Sequence, residues 1–367
     1  MLPELAYLHG KPNSNGLLRA KKSDFKVFEQ LPFLPCGEGE HLFIHIRKTG
    51  ANTVFVAREL AKYFKVKEQL ISYAGLKDRF AITEQWFGVH VPGKQVYDLS
   101  DLNIEGVEVL SYKRHNKKLR TGALTGNRFE LILREVTQLK DLNARWKSIV
   151  EQGVPNYFGE QRFGIEGGNI DKALALFAGT KVKDKKKRGM YLSAARSTIF
   201  NDIINERIKQ NIFSKVQVGD VLMLAGTQSV FHLEEVDDSI KQRFNDKDVD
   251  ITATMWGSGE LMTSALPKAL EQQIADSHGE FSQGLPRFGL KQERRRIRLV
   301  IDDADIVVLP NEESENKSAS TVQISFTLAA GSYATTVLRE LIDYQDCTQR
   351  VVPNASVNNE QITEQGK

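Results

Sequence analysis

The sequence predicts an α+β fold made of a discontinuous domain and an insertion. Three observations lead to this. Short segments near both ends of the chain alternate apolar and polar residues with the two-residue period of half-buried strands. Amphipathic segments of helical period lie among them. The middle of the chain changes character, to a long helical stretch flanked by charged sequence. At 367 residues the chain exceeds one ordinary domain. The expected organisation is one domain from 1–153 and 306–345, an insertion over 154–305, and a polar tail over 346–367 expected to be disordered.

Along the chain, "HLFIHIRK" (41–48) sets Leu42, Ile44 and Ile46 against His45 and Arg47, as a strand does. In "NTVFVARELAKYF", Val56, Leu60, Tyr63 and Phe64 recur at helical spacing, and Asn52 or Thr53 can cap the start. "QWFGVHV" (85–91) reads as a strand ending at Pro92-Gly93, and "NRFELILREV" (127–136) as another. "LSAARSTIFNDIINERI" (192–208) reads as a helix with Ser193 as its cap. "VQISFTL" (322–328) alternates, and "TVLRELI" (336–342) follows as a helix.

Composition is that of a globular protein, with 41% hydrophobic and 26% charged residues. No apolar run approaches the ~20 residues that span a bilayer, and the first residues lack a signal-peptide pattern. A cytoplasmic protein is expected. Cys36 and Cys347 are too few for a disulfide framework or a zinc site. Net charge is only +3, yet the signs are segregated. Basic runs occupy 113–120, 181–188 and 291–298, while acidic runs occupy 302–305 and 312–315. Such segregation can build a positive face that favours phosphate.

Several catalytic readings are excluded. His41 and His45 have a helical metal-site spacing but lie on a strand, where about 13 Å would separate them. Asp302, Asp303 and Asp305 suggest a magnesium nuclease, but read better as a solvated acidic loop. The glycines of 37–41 and 164–169 do not make a P-loop, and no nucleophile elbow is present.

Asp78 in "YAGLKDRFAITEQW" is the remaining candidate. By type it is a surface partner of Lys77 or Arg79, a pair worth ~0–1 kcal/mol. Gly75 before it suits a tight loop, and the apolar run after it anchors that loop. Aromatic-bearing loops recur in "SDFKVFE", "GNRFE" and "GSYAT". An acid, cations and aromatics together suit a flipped base, which aromatics stack on and polar groups read.

These residues resemble the TruD family of tRNA pseudouridine synthases. "AGLKDRFAITEQW" is similar to the family's catalytic motif. "SDFKVFE", "GNRFELILRE", "VPNYFGEQRFG", "LSAARSTIFN" and "LAAGSYATTVLREL" follow the family's order, covering the chain to about residue 345. The resemblance implies an enzyme that isomerises uridine to pseudouridine in tRNA, usually at uridine 13, without cofactor or metal; a monomer is the default expectation. It implies a pseudouridine-synthase-like catalytic domain with a mixed, largely antiparallel sheet. The insertion 154–305 would be the TRUD domain, closing a basic cleft in which the three basic runs contact phosphates.

By the same resemblance Asp78 is the catalytic aspartate. An ionised, desolvated carboxylate needs a balancing cation. Arg19, where relatives commonly carry lysine, is the expected partner, and a guanidinium can hold a carboxylate bidentately. Phe25, Asn127, Phe129 and Tyr333 map onto the substrate pocket. Glu160, Gln161, Arg162 and Arg196 either line the cleft or brace the domain junction. A non-catalytic RNA-binding protein on the same fold is the alternative.

Overall fold

A computed structural model describes residues 4–93, 95–310 and 319–348. The chain starts with β1 (Asn15–Leu18), β2 (Phe25–Gln30), β3 (His41–Thr49) and α1 (Thr53–Tyr63). β4 (Ile71–Tyr73), β5 (Ile82–His90), β6 (Val107–His115) and β7 (Gly126–Val136) follow, then α2 (Leu139–Gln152) and the short β8 (Val154–Pro155). The middle comprises α3 (Gly168–Phe177), α4 (Lys185–Lys209), β9 (Val221–Leu224), β10 (Val230–His232) and α5 (Asp238–Asn245). It continues through β11 (Val249–Met255), α6 (Ala265–Ser277), α7 (Gly279–Arg287) and β12 (Glu293–Arg296). After β13 (Arg298–Leu299) come β14 (Asp302–Leu309), β15 (Ser320–Ala329), α8 (Ala334–Leu341) and β16 (Asp343–Asp346).

Among the described residues ten strands share one sheet, in the order β14-β15-β7-β2-β5-β3-β6. β1 joins β7 and β16 at its side, and β4 pairs with β5. The β2–β5 and β1–β16 pairs are parallel. The others are antiparallel, so the sheet is mixed and largely antiparallel. Strands from the two ends of the chain interleave, with β15 lying along β7 over Ser320–Ala329.

The apolar periods explain what covers this sheet. α1 is capped by Asn52, whose side chain accepts from Phe55 N at 2.7 Å. Its Val56, Ala57, Leu60 and Ala61 pack on Ile44, Ile46 and Phe87 of β3 and β5. α2 and α8 contribute Trp146, Ile149, Val337 and Leu341 to a second core with Phe129, Leu131 and Phe326.

A separate four-stranded sheet, β10-β9-β11-β12, lies in the middle of the chain. Its core gathers around α4, whose residues 194–201 are all buried. A helix enclosed on every side reads as apolar and small-residue rather than amphipathic. β8 and β13 pair antiparallel, Arg298 opposite Pro155, so the chain enters and leaves this region side by side.

Four expectations are corrected. α4 starts at Lys185 instead of 192, because Asp184 accepts from Lys186 N and Lys187 N and caps it there. Ser193 is inside the helix. Asp302, Asp303 and Asp305 are not in a loop but on the edge strand β14, which belongs to the large sheet and starts before the expected boundary at 305. A bulge at Asp302/Asp305 puts Asp303 at φ +48°, with its carboxylate accepting from Thr327 Oγ1. The expected start of the tail, Asp346, is the last residue of β16, which pairs with β1, Leu18 opposite Asp346. Residues 349–367 of that tail lie outside the described residues.

The run 291–298 is not an open basic surface. Arg294 is paired with Glu271 and Arg298 with Asp250, all four side chains under 9% exposed. Arg296 donates to the carbonyls of Leu224 and Thr227. β12 alternates its side chains across the strand, and both faces meet protein.

Candidate active site

Asp78 lies in the loop between β4 and β5. Its Oδ1 accepts from Phe80 N at 2.9 Å, which closes a local turn. Its Oδ2 is 3.1 Å from Arg19 Nη1. The flanking cations serve other partners. Lys77 pairs with Glu29 at 2.7 Å, and neither side chain is more than 7% exposed. Arg79 Nε donates to Gly50 O. Breaking a buried pair such as Lys77–Glu29 costs roughly 3–5 kcal/mol, because one charge is left uncompensated. That pair therefore fixes the loop that carries Asp78.

The loop has a second anchor, from a residue that the motifs did not single out. Lys48 on β3 is fully buried, and its Nζ donates to Ala51 O at 2.8 Å and Asp78 O at 2.9 Å. Burial lowers this ammonium to about 8, with Lys77 adding to the shift and Asp78 opposing it. The signal was available: Leu42, Ile44 and Ile46 mark the inward face of β3, and Lys48 continues the same parity. Thr53 ties the loop to α1, accepting from Lys77 N and donating to Gln85 Oε1. Gly75 does not have the role expected of it. Its φ is not positive, and an added Cβ would meet only ordinary contacts.

Arg19 follows β1 at φ +58°, a left-handed conformation that costs a non-glycine residue roughly 1–2 kcal/mol. The turn sets its guanidinium over the Phe25 ring, 4.4 Å from the centroid. The bidentate pairing expected with Asp78 is not formed. Instead Nη1 also lies 3.4 Å from Asp346 Oδ2. Asp346 is held in turn by Thr348, whose N and Oγ1 both donate to Oδ1. Reading residue 346 as tail concealed this second carboxylate.

Phe25 on β2 and Phe129 on β7 meet edge to face at 6.3 Å, and Phe129 stacks on Phe326 at 5.4 Å. They are 4% and 7% exposed, so both belong to the core, and Phe25 is also the floor beneath Arg19. Asn127, two residues before Phe129, shares its face of β7. The Oδ1 of Asn127 is buried without a hydrogen-bond partner among the described residues. An unsatisfied buried carbonyl costs about 1–3 kcal/mol, which a ligand N–H would relieve.

A cleft of about 580 Å³ opens beside this floor, lined by Arg19, Tyr333, Tyr344, Asp346, Phe158 and Glu160 among others. Burial, with Asp346 adding to it, pushes the Tyr344 hydroxyl up to about 12. Tyr333, just before α8, accepts from Arg162 Nη2 at 3.2 Å, and Arg162 Nη1 donates to Ser193 of α4 at 3.0 Å. Glu160 and Gln161 line the cleft. Arg196 does not: it is buried and donates to the carbonyls of Met255, Trp256 and Lys291, a bracing role.

Comparison with known proteins identifies the family. A family model for tRNA pseudouridine synthase D (TruD) matches residues 3–175 and 177–341. The tRNA pseudouridine synthase D of Colwellia psychrerythraea is 76% identical over 352 residues, covering 96% of both chains. That of Aeromonas hydrophila is 44% identical over 346 residues, 94% of this chain and 96% of its own. A crystal structure from Methanosarcina mazei described as tRNA pseudouridine synthase D (TruD) superposes with TM-score 0.72 at 22% identity. It covers 92% of this chain and 95% of the other, which shows the shared fold. With its ordered motifs and its matched length, the chain belongs to the TruD family of tRNA pseudouridine synthases.

Proposed function

We propose that this protein isomerises uridine to pseudouridine in tRNA, at position 13, with Asp78 as the catalytic carboxylate. The observation that carries the reading is the Asp78–Arg19 pair at 3.1 Å, set at the edge of a cleft and above an aromatic floor. In the reaction the N1–C1′ bond breaks, the uracil turns, and C5 bonds to C1′. N1 gains a proton and C5 loses one, so product and substrate are isomers.

Each residue has a physical task in this reading. Asp78 acts ionised in the step that breaks the glycosidic bond. Arg19 balances its charge in a desolvated site, as such a carboxylate requires. Asn127 Oδ1 takes a uracil N–H, and Phe25 and Phe129 supply apolar contact to the ring. Tyr333 borders the cleft on the α8 side. The exposed Lys113, Lys117 and Lys118, with Lys185 to Lys187 at the start of α4, contact tRNA phosphates, which position without reading sequence. The region between β8 and β13 works as a unit that forms the facing wall. The enzyme acts as a monomer in the cytoplasm, where its substrate is. Among the described residues, no helix is long and apolar enough to cross a membrane.

Tritium release tests the reading, because forming pseudouridine frees the C5 hydrogen. The protein should release tritium from tRNA labelled at uridine C5, in EDTA after the tRNA has folded. Asp78→Asn should lower the rate by about 10²–10⁴-fold or more while tRNA binding persists. No release by the unmutated protein, with binding intact, would leave a non-catalytic RNA-binding protein instead.

A further inference from the structure

Arg162 and Arg295 differ from the other arginines of their surroundings. Arg294 and Arg298 face their own carboxylates, and Arg196 has Glu293 at 2.9 Å. The hydrogen-bond partners of Arg162 and Arg295 are all neutral. Arg162 donates to Ser193 and Tyr333, and Arg295 Nη2 donates to Asn156 Oδ1 at 2.8 Å. The Nε of each is buried with no partner among the described residues.

Both guanidiniums lie over one ring, Phe158, at 5.1 Å and 4.4 Å from its centroid. Two cations thus share a partly desolvated wall, and neither has a carboxylate partner among the described residues. Their repulsion and burial are unfavourable unless an anion arrives. Burial lowers Arg295 to about 10, and Arg162 adds to that shift while Tyr333 opposes it. Beside Arg162 a recess of about 220 Å³, lined by Gln161, Met190 and Tyr333, opens to solvent. A phosphate group, a few times the ~30 Å³ share of a water molecule, fits within it.

We propose that Arg162, backed by Arg295, forms a phosphodiester-binding subsite that seats the RNA strand beside Tyr333. Arg162 reaches the phosphate directly, and Arg295, over the same Phe158 ring, raises the local positive potential. Arginine suits the task because its planar fork offers five donors, of which Arg162 spends two within the protein. The inference deepens the tRNA reading and rests on it. It assigns to a particular side chain a contact that surface charge alone would leave spread over the lysine runs.

The test is the salt dependence of tRNA binding, measured by fluorescence anisotropy for the unmutated protein, Arg162→Gln and Arg162→Lys. Neutralising one phosphate releases counterions, so each contact contributes about 0.7–0.9 to the slope of log K against log salt. Arg162→Gln should lower the slope by that amount and weaken binding about tenfold near 0.1 M salt. Arg162→Lys should keep the slope. A misfolded fraction lowers the active concentration without changing the slope, so the measurement survives a partial folding defect. An unchanged slope in Arg162→Gln overturns the subsite. Failure of the isomerase reading is seen separately, as absent tritium release by the unmutated protein on the same tRNA.

Discussion

Asp78 and Asp346 share one nitrogen: Arg19 Nη1 lies 3.1 Å from the Oδ2 of the first and 3.4 Å from the Oδ2 of the second. A single cation between two carboxylates couples residues from distant parts of the sequence. Asp346 is held on its other oxygen by Thr348, so it is a fixed anchor for the guanidinium. Residues joined through one network do not contribute additively.

Asp346→Asn should therefore lower kcat about three- to tenfold, a coupling of about 1 kcal/mol, with KM changed little. In an Arg19→Ala background the same substitution should do nothing further. Single-turnover rates of the four proteins in the cycle decide it. Additive losses would mean that Asp346 does not act through Arg19.

Lys48 predicts opposite pH trends for activity and stability. Its proton leaves near pH 8 in the folded protein, against 10.5 ordinarily. Above pH 8 the positive charge beside the Asp78 loop is lost, so kcat should fall. Between about 8 and 10.5 the unfolded chain holds more protons than the native one, so this group's contribution to stability rises with pH. Lys48→Met should be about tenfold slower near pH 7, a barrier change of about 1.4 kcal/mol, and less stable by the charged hydrogen bonds it loses, worth about 1.5–3 kcal/mol each. It should also lack the fall near pH 8. A Lys48→Met profile that keeps this limb would assign the titration to another group.

Phe129 is buried in the core and is proposed to contact the uracil, and two substitutions separate the roles. Phe129→Ala should cost roughly 3–5 kcal/mol in chemical denaturation, because it empties the space between Phe25 and Phe326. Phe129→Leu keeps most of the buried area and should cost nearer 1 kcal/mol. If Phe129 also contacts the uracil ring, Leu should still slow turnover well beyond what its stability loss explains. Turnover that tracks only the folded fraction would limit the residue to packing.

Tyr333→Phe removes the hydroxyl that accepts from Arg162 and keeps the ring. A hydrogen bond from a charged guanidinium is worth about 1.5–3 kcal/mol, of which loosening Arg162 forfeits part, so KM for tRNA should rise up to about tenfold. kcat should stay within twofold. A large kcat loss would place the hydroxyl in the chemistry itself.

Much of this was legible in the residues. Leu42, Ile44 and Ile46 marked β3, and Asn52 marked the start of α1. Asp78 stood out by its loop and by the order of the motifs around it, and Arg19 through the family resemblance. Other features were hidden, for identifiable reasons. Lys48 followed the apolar parity of its strand, but a charged residue there reads as the strand's exposed end. Asp346 sat in a polar stretch whose strand character comes from pairing with β1, a tertiary effect that no local pattern carries. The arginines of 294–298 read as surface because their carboxylates, Glu271 and Asp250, are remote in sequence. Conversely, Arg162 and Arg295 could be distinguished only by lacking such partners.

The parallel pairing of β1 with β16 also bears on when the site comes into being. Arg19 sits just past one of these strands and Asp346 ends the other, from opposite ends of the described chain. Contacts of such long range close large loops and are entropically late in folding. The hydrophobic cores around α1 and α4 draw on nearer segments. A chain stopped before residue 343 would therefore be expected to collapse around much of its sheet yet hold Arg19 only loosely. With Arg19 in its proposed role, activity would report that both ends of the chain have docked.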